Sequence, residues 1–126
     1  MSFILHNANP CNERDIDCTV RAISILLNAS WDDIYWGLCI QGNRMCRMPS
    51  SQPVVNEFLY NEGFDRYIIP NTCPFCYSVR DFTDDHQNGF FLLCTDSHVV
   101  PVINGDYIDT WDSGSEIPIY YWAKGG

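Results

Sequence analysis

Basic residues are scarce in this chain. Seven Lys and Arg stand against 16 Asp and Glu, a formal net charge of −9 over 126 residues. A surface of that sign repels phosphate backbones and anionic lipid, so neither nucleic acid nor membrane is an expected partner. Long apolar runs are missing as well. No stretch approaches the ~18 residues of a spanning helix, and the opening MSFILHNANP has neither a basic n-region nor a real hydrophobic segment. A cytoplasmic protein is the expectation. With no repeat, low-complexity tract or linker, residues 1–126 read as a single domain.

Cysteine, by contrast, is plentiful: Cys11, Cys18, Cys39, Cys46, Cys73, Cys76 and Cys94. An odd number without a framework argues against a disulfide scaffold and for a reducing compartment. One close pair exists, Cys73 and Cys76 in CPFC. Its spacing suits a zinc knuckle or a redox motif, yet no second C-x-x-C or H-x-x-x-H follows to complete a metal site. The pair reads first as a turn into a short helix and second as a weak metal candidate. No cofactor is expected.

The pattern of elements changes at Gly63. Before it, after an irregular lead-in, a helix is predicted from about Cys18 to Asn28 with Asp17 as N-cap. A second opens at SWDDIYWGL, with Ser30 as N-cap and Asp33 in capping-box position. A third starts near SSQPVVNEFLYNEG, capped by Ser51, with Pro53 in its first turn and Gly63 as its stop. Beyond Gly63, RYIIP, GFFLLC, HVVPVI, DYIDTW and IPIYYW read as strands, and SVRDFTDDH as a short helix. Residues 1–63 are thus the helical part and 64–126 mainly antiparallel sheet, an α+β domain with helices packed on the sheet. Trp31, Trp36, Trp111 and Trp122 are expected in the core.

Cys18 stands at the first turn of the most apolar helix. Positive partial charge and free N–H groups gather at a helix N-terminus, which favours a thiolate and can receive an oxyanion. Glu13, Asp15 and Asp17 oppose this, so an activated Cys18 needs a protonated histidine beside it. His6 lies in the lead-in without an evident role, and His86 in the polar turn TDDHQNG reads as solvated. His98 opens a strand. Asn104-Gly105 is a strong hairpin signal, and a two-residue turn pairs Ile103 with Asp106. Alternation then puts His98, Val100 and Val102 on one face with Tyr107, Asp109 and Trp111. Asp109 is the diagonal neighbour of His98, within reach to orient the imidazole. Asp112 falls on the other face and becomes the third member only if the strand ends or bulges. Asn12, six residues before Cys18, offers an amide donor to an oxyanion hole.

The order cysteine at a helix N-terminus, histidine opening a strand, acid on the next strand resembles the papain-like cysteine peptidases. The segments DCTVRAIS, GLCIQGNRMCRMPSSQPVV, IIPNTCPFCYSVRDF and HVVPVINGDYIDTWDSGSEIPIYYW are similar to small cysteine proteases of bacteriophages and their bacterial hosts. The resemblance implies a minimal papain-like fold. It makes Cys18 the nucleophile, His98 the general base and Asp109 the orienting acid, with Asn12 where papain-like enzymes carry a glutamine. Implied, then, is a thiol hydrolase acting on a protein or peptide, encoded by a phage or its bacterial host. A Gln deamidase or acyl transferase would use the same three residues. A catalytically weak protein-binding module is the alternative from a different class.

Overall fold

Non-local pairing decides this architecture more than local propensity does. The structure is a computed structural model and describes residues 2–11, 17–70, 76–96 and 98–124. Along these residues run β1 (Phe3–Leu5), α1 (Cys18–Leu27), α2 (Trp31–Met45), α3 (Gln52–Asn61), β2 (Phe64–Ile68), α4 (Val79–Asp85), β3 (Phe90–Cys94), β4 (Val99–Ile103), β5 (Asp106–Asp109) and β6 (Tyr120–Lys124). The fold is α+β, with its long helices in the N-terminal half. No helix among the described residues is long and apolar enough to cross a membrane.

The strands form one sheet in the order β1-β5-β4-β3-β6-β2. Each neighbouring pair is antiparallel except β1–β5, which is parallel, with Phe3 opposite Tyr107 and Leu5 opposite Asp109. The lead-in therefore contributes an edge strand, and the sheet is mixed rather than antiparallel throughout. The β4–β5 hairpin turns at Asn104 (φ 49°) and Gly105 (φ 86°). Two positive φ angles in succession suit the right-handed twist of the flanking strands, and Asn-Gly tolerates them. Ile103 pairs with Asp106 as the turn length dictates.

The sheet is covered on both faces. Ala22, Ile23 and Leu26 of α1, with Ile34, Leu38, Val55 and Leu59 of α2 and α3, pack against Leu92, Cys94 and Trp122. Alternate residues of the same strands, Leu93, Val100, Val102 and Tyr107, meet Val79 and Phe82 of α4 on the opposite face. Only Trp122 among the tryptophans is core, at 0 % exposure. Trp36 and Trp111 are 62 % and 46 % exposed, and Trp31 is half-buried, so the expectation of four core tryptophans fails for three.

Helix ends also differ in part from expectation. Ser30 caps α2 through its Oγ, which accepts from the Asp33 N–H at 3.0 Å. Asp17 and Ser51 occupy N-cap positions without making the capping hydrogen bond. Ser51 Oγ is buried without a hydrogen-bond partner among the described residues. The Asp17 carboxylate is engaged elsewhere, at the site described next.

Candidate active site

Cys18, His98 and Asp109 come from three elements that meet at one end of the sheet. Cys18 is the first residue of α1, His98 lies one residue before β4, and Asp109 is the last residue of β5. Alternation assigned His98 and Asp109 to the face of Val100 and Tyr107, and that face packs on α4. Helix α1 lies on the other one. The three side chains meet because His98 and Asp109 stand where the strands end and the pleat no longer fixes direction.

His98 Nε2 and Asp109 Oδ2 are 2.6 Å apart. The carboxylate is 5 % exposed and accepts two further hydrogen bonds, from Ser113 Oγ to Oδ2 at 2.8 Å and from the Thr110 N–H to Oδ1 at 2.8 Å. The His98 backbone is held by Thr95: its N–H donates to Thr95 Oγ1 at 2.9 Å, and its carbonyl accepts from the Thr95 N–H at 2.8 Å. The Trp111 ring lies over the imidazole with centroids 5.1 Å apart. With Nε2 engaged by Asp109, Nδ1 is the ring nitrogen left for Cys18, with which His98 shares a hydrogen bond.

Two opposed effects act on each member of the pair. Burial pushes the Cys18 thiol up; the hydrogen bond and charge of His98, the Val99 N–H and the Arg21 charge together outweigh it, and the thiol sits below its ordinary range. Burial pushes His98 down, yet Asp109 and Cys18 carry it up to about 9. A proton on the imidazole and a charge on the sulfur support each other. Cys94 is the contrast. It is 4 % exposed, and burial, with the Cys18 charge adding to it, pushes it up to about 12.

The acidic neighbourhood of Cys18 is answered by a residue that the sequence reading passed over. Arg21, one turn along α1, pairs with Asp17, and both are buried. Asp17 Oδ2 also accepts from Asn9 Nδ2 at 3.1 Å and Trp31 Nε1 at 3.0 Å, tying the lead-in and α2 to the start of α1. Their i, i+4 spacing was the available signal. Beside this cluster runs a groove of about 250 Å³, walled by Asp17, Thr19, Val20, Trp31, Tyr35 and Leu38.

Asp112 is not brought to His98. Its Oδ1 accepts from the Tyr107 hydroxyl at 2.6 Å and the Gly114 N–H at 3.0 Å, and lies 3.5 Å from the Arg80 guanidinium. The strand ends at Asp109, so the turn that follows carries Asp112 toward α4. His86 is not a solvated turn residue: it stacks on Phe82 with centroids 3.8 Å apart. His6 is exposed, and its backbone N–H donates to the Asp109 carbonyl at 2.9 Å. Asn12, Glu13, Asp15 and Cys73 lie outside the described residues. Cys76 is an exposed free thiol, and all six described cysteines are free. Among the described residues no group of three His, Cys, Asp or Glu side chains is placed to hold a metal ion.

A Cβ added at Gly114 would meet the Tyr107 hydroxyl at 2.4 Å and the Arg80 guanidinium at 2.7 Å. Gly114→Ala is therefore expected to lower stability by about 1–3 kcal/mol, the usual range for overpacking. A urea titration reads the change, and an unaltered midpoint would show that the turn yields freely.

No protein-family model matches the chain, and neither does any curated protein or solved structure.

Proposed function

We propose that this protein is a papain-like thiol hydrolase that cleaves a peptide, isopeptide or side-chain amide bond with Cys18 as nucleophile, His98 as acid and base, and Asp109 as orienting acid. The observation that carries the reading is the hydrogen-bonded series Cys18–His98–Asp109, with a lowered thiol beside a raised imidazole. Burial alone moves both groups the opposite way, so a merely packed cysteine and histidine would not have these values.

In this proposal the Cys18 thiolate attacks the substrate carbonyl carbon, and the C=O electron pair moves onto oxygen. The oxyanion forms beside the N-terminus of α1, where free N–H groups point outward. His98 then gives its proton to the departing nitrogen, the C–N bond breaks, and a thioester remains on Cys18. Neutral His98 takes a proton from water, the hydroxide attacks the thioester, and Cys18 leaves as thiolate. Ammonia as leaving group makes the same sequence a deamidation. A reducing compartment such as the cytoplasm suits the free thiols.

The test is alkylation of each cysteine by iodoacetamide followed against pH by peptide mapping. Cys18 is expected to label fastest at pH 7, with the exposed free thiols Cys11, Cys46 and Cys76 as references within the same molecule. Labelling of Cys18 no faster than theirs would overturn the proposal. Substrate screening then follows peptide fragments and ammonia in parallel.

A second pH prediction separates chemistry from thiol reactivity. His98 must hold a proton to protonate the leaving nitrogen, and it loses that proton as pH rises through about 9. Hydrolysis is expected to fall there, while alkylation of Cys18, which needs the thiolate alone, does not. Parallel declines of both would point to unfolding instead.

A further inference from the structure

We propose that Ser113 is a positioning residue, a fourth member of the series, whose hydroxyl holds the Asp109 carboxylate against His98. This rests on the thiol-hydrolase reading above. Ser113 is 0 % exposed, deeper than Asp109 itself, and its hydroxyl donates to Asp109 Oδ2, the same oxygen that receives His98 Nε2. A hydroxyl has one proton to give, and here it goes to the acid.

The reason a carboxylate needs such a partner is rotational. A terminal carboxyl torsion is broad, so a lone hydrogen bond to His98 leaves the group free to turn. Three donors divided between the two oxygens restrict that freedom: His98 and Ser113 on Oδ2 and the Thr110 N–H on Oδ1. Each is also a charge-assisted bond to a buried carboxylate, the strong kind.

Ser113 is in turn held by a frame outside the site. Asp112, its neighbour, accepts from Tyr107 and pairs with Arg80, and the Arg80 N–H donates to the Gly114 carbonyl at 3.0 Å. The Glu116 N–H closes the turn on the Ser113 carbonyl at 3.0 Å. Helix α4, on the far face of the sheet, thereby fixes the acid that aims a histidine serving α1. Residues 109 to 114 accordingly carry two functions: Asp109 and Ser113 face the site, Asp112 and Gly114 face α4.

Loss of the Ser113 hydroxyl loosens Asp109, weakens its hold on the imidazolium, and so removes support from the Cys18 thiolate. The charged or titratable groups concerned are Cys18 and Arg21 on α1, Asp17 paired with Arg21, Cys94 on β3, His98 before β4, Asp109 at the end of β5 and His6 after β1. The experiment is the pH profile of Cys18 alkylation in Ser113→Ala and in Ser113→Cys, which keeps a side chain of similar size with a weaker donor. Val79→Ala, a cavity on the α4 face, serves as a control for general loss of stability. The midpoint is expected to rise by about one pH unit in Ser113→Ala, the size of one charge-assisted hydrogen bond. It should rise less in Ser113→Cys and stay put in Val79→Ala.

Native folding is checked by near-ultraviolet circular dichroism, and Ser113→Cys alone decides if the alanine variant does not fold. Fast wild-type labelling with unmoved midpoints in the Ser113 variants would overturn the assignment of Ser113 and leave the triad standing. Slow wild-type labelling of Cys18 would remove the triad, and this inference with it. An equal rise in Val79→Ala would reduce Ser113 to a stabilising residue.

Discussion

Alanine in place of His98 is expected to slow alkylation of Cys18 at pH 7 by about tenfold, and amide turnover by roughly 10²–10⁴-fold. The two figures differ for a physical reason. Without His98 the thiol keeps the Val99 N–H and Arg21 but loses the hydrogen bond and charge that offset its burial. Its pKa returns toward or above the ordinary value of about 8.5. The loss of thiolate at neutral pH outweighs the greater intrinsic nucleophilicity of the more basic sulfur, which returns only about half of a pKa change. Alkylation feels that net change. Amide cleavage loses in addition the proton that His98 delivers to the leaving nitrogen. Intact-mass kinetics on both proteins measure the first figure, with Cys11, Cys46 and Cys76 as internal references. An unchanged rate and midpoint for Cys18 in the variant would sink the ion pair and the triad built on it.

Trp122→Ala is expected to cost about 3–5 kcal/mol, the largest loss available from one truncation in this core. Trp122 sits in the middle of β6, paired with Arg66 of β2 and Leu92 of β3, at 0 % exposure. Tyr60 of α3 meets its ring edge-on at 5.1 Å. Its removal opens a void between the helices and the sheet at the strand that joins β2 to the rest. Against a total stability of about 5–15 kcal/mol, such a loss lowers Tm by roughly 10 °C or more. Trp122→Phe should cost much less, because a six-membered ring remains and the indole N–H, which is buried without a partner among the described residues, disappears. Thermal melts of the two variants check both statements; equal losses would show that the indole makes contacts beyond those of its six-membered ring.

The site was legible in the sequence to the extent that local rules reach it. Asn104-Gly105 set the hairpin length, hairpin length set the register, and register placed Asp109 rather than Asp112 beside His98. What escaped was non-local or lay where strands stop. Three residues, Phe3–Leu5, are too few to announce a strand, and β1 exists only because β5 offers it an edge. The face of the sheet could not be read for His98 and Asp109, since alternation loses force at strand ends. Asp17 looked like a cap, but a carboxylate within reach of Arg21, Asn9 and Trp31 bonds to them instead of to its own helix. Ser113 carried no signal in WDSG beyond its place in a turn, and its burial is set by α4, far away in sequence. The exposed Trp36 and Trp111 show that an aromatic residue at helical or strand spacing says nothing of depth without a neighbouring element to cover it.

The separation of the three residues along the chain has a consequence for the protein during its own synthesis. Cys18 and His98 are 80 residues apart, and Asp109 is later still. At the usual ribosomal rate of about 5–20 residues per second, roughly 4–16 s pass between the appearance of the thiol and that of its histidine. Throughout that interval Cys18 is without His98, the partner whose hydrogen bond and charge offset the burial of its thiol. On the proposed mechanism, reactivity waits until β4 and β5 have joined the sheet and α1 has settled on it. The order of segments would then hold back the nucleophile until the strands beside its partners have been made.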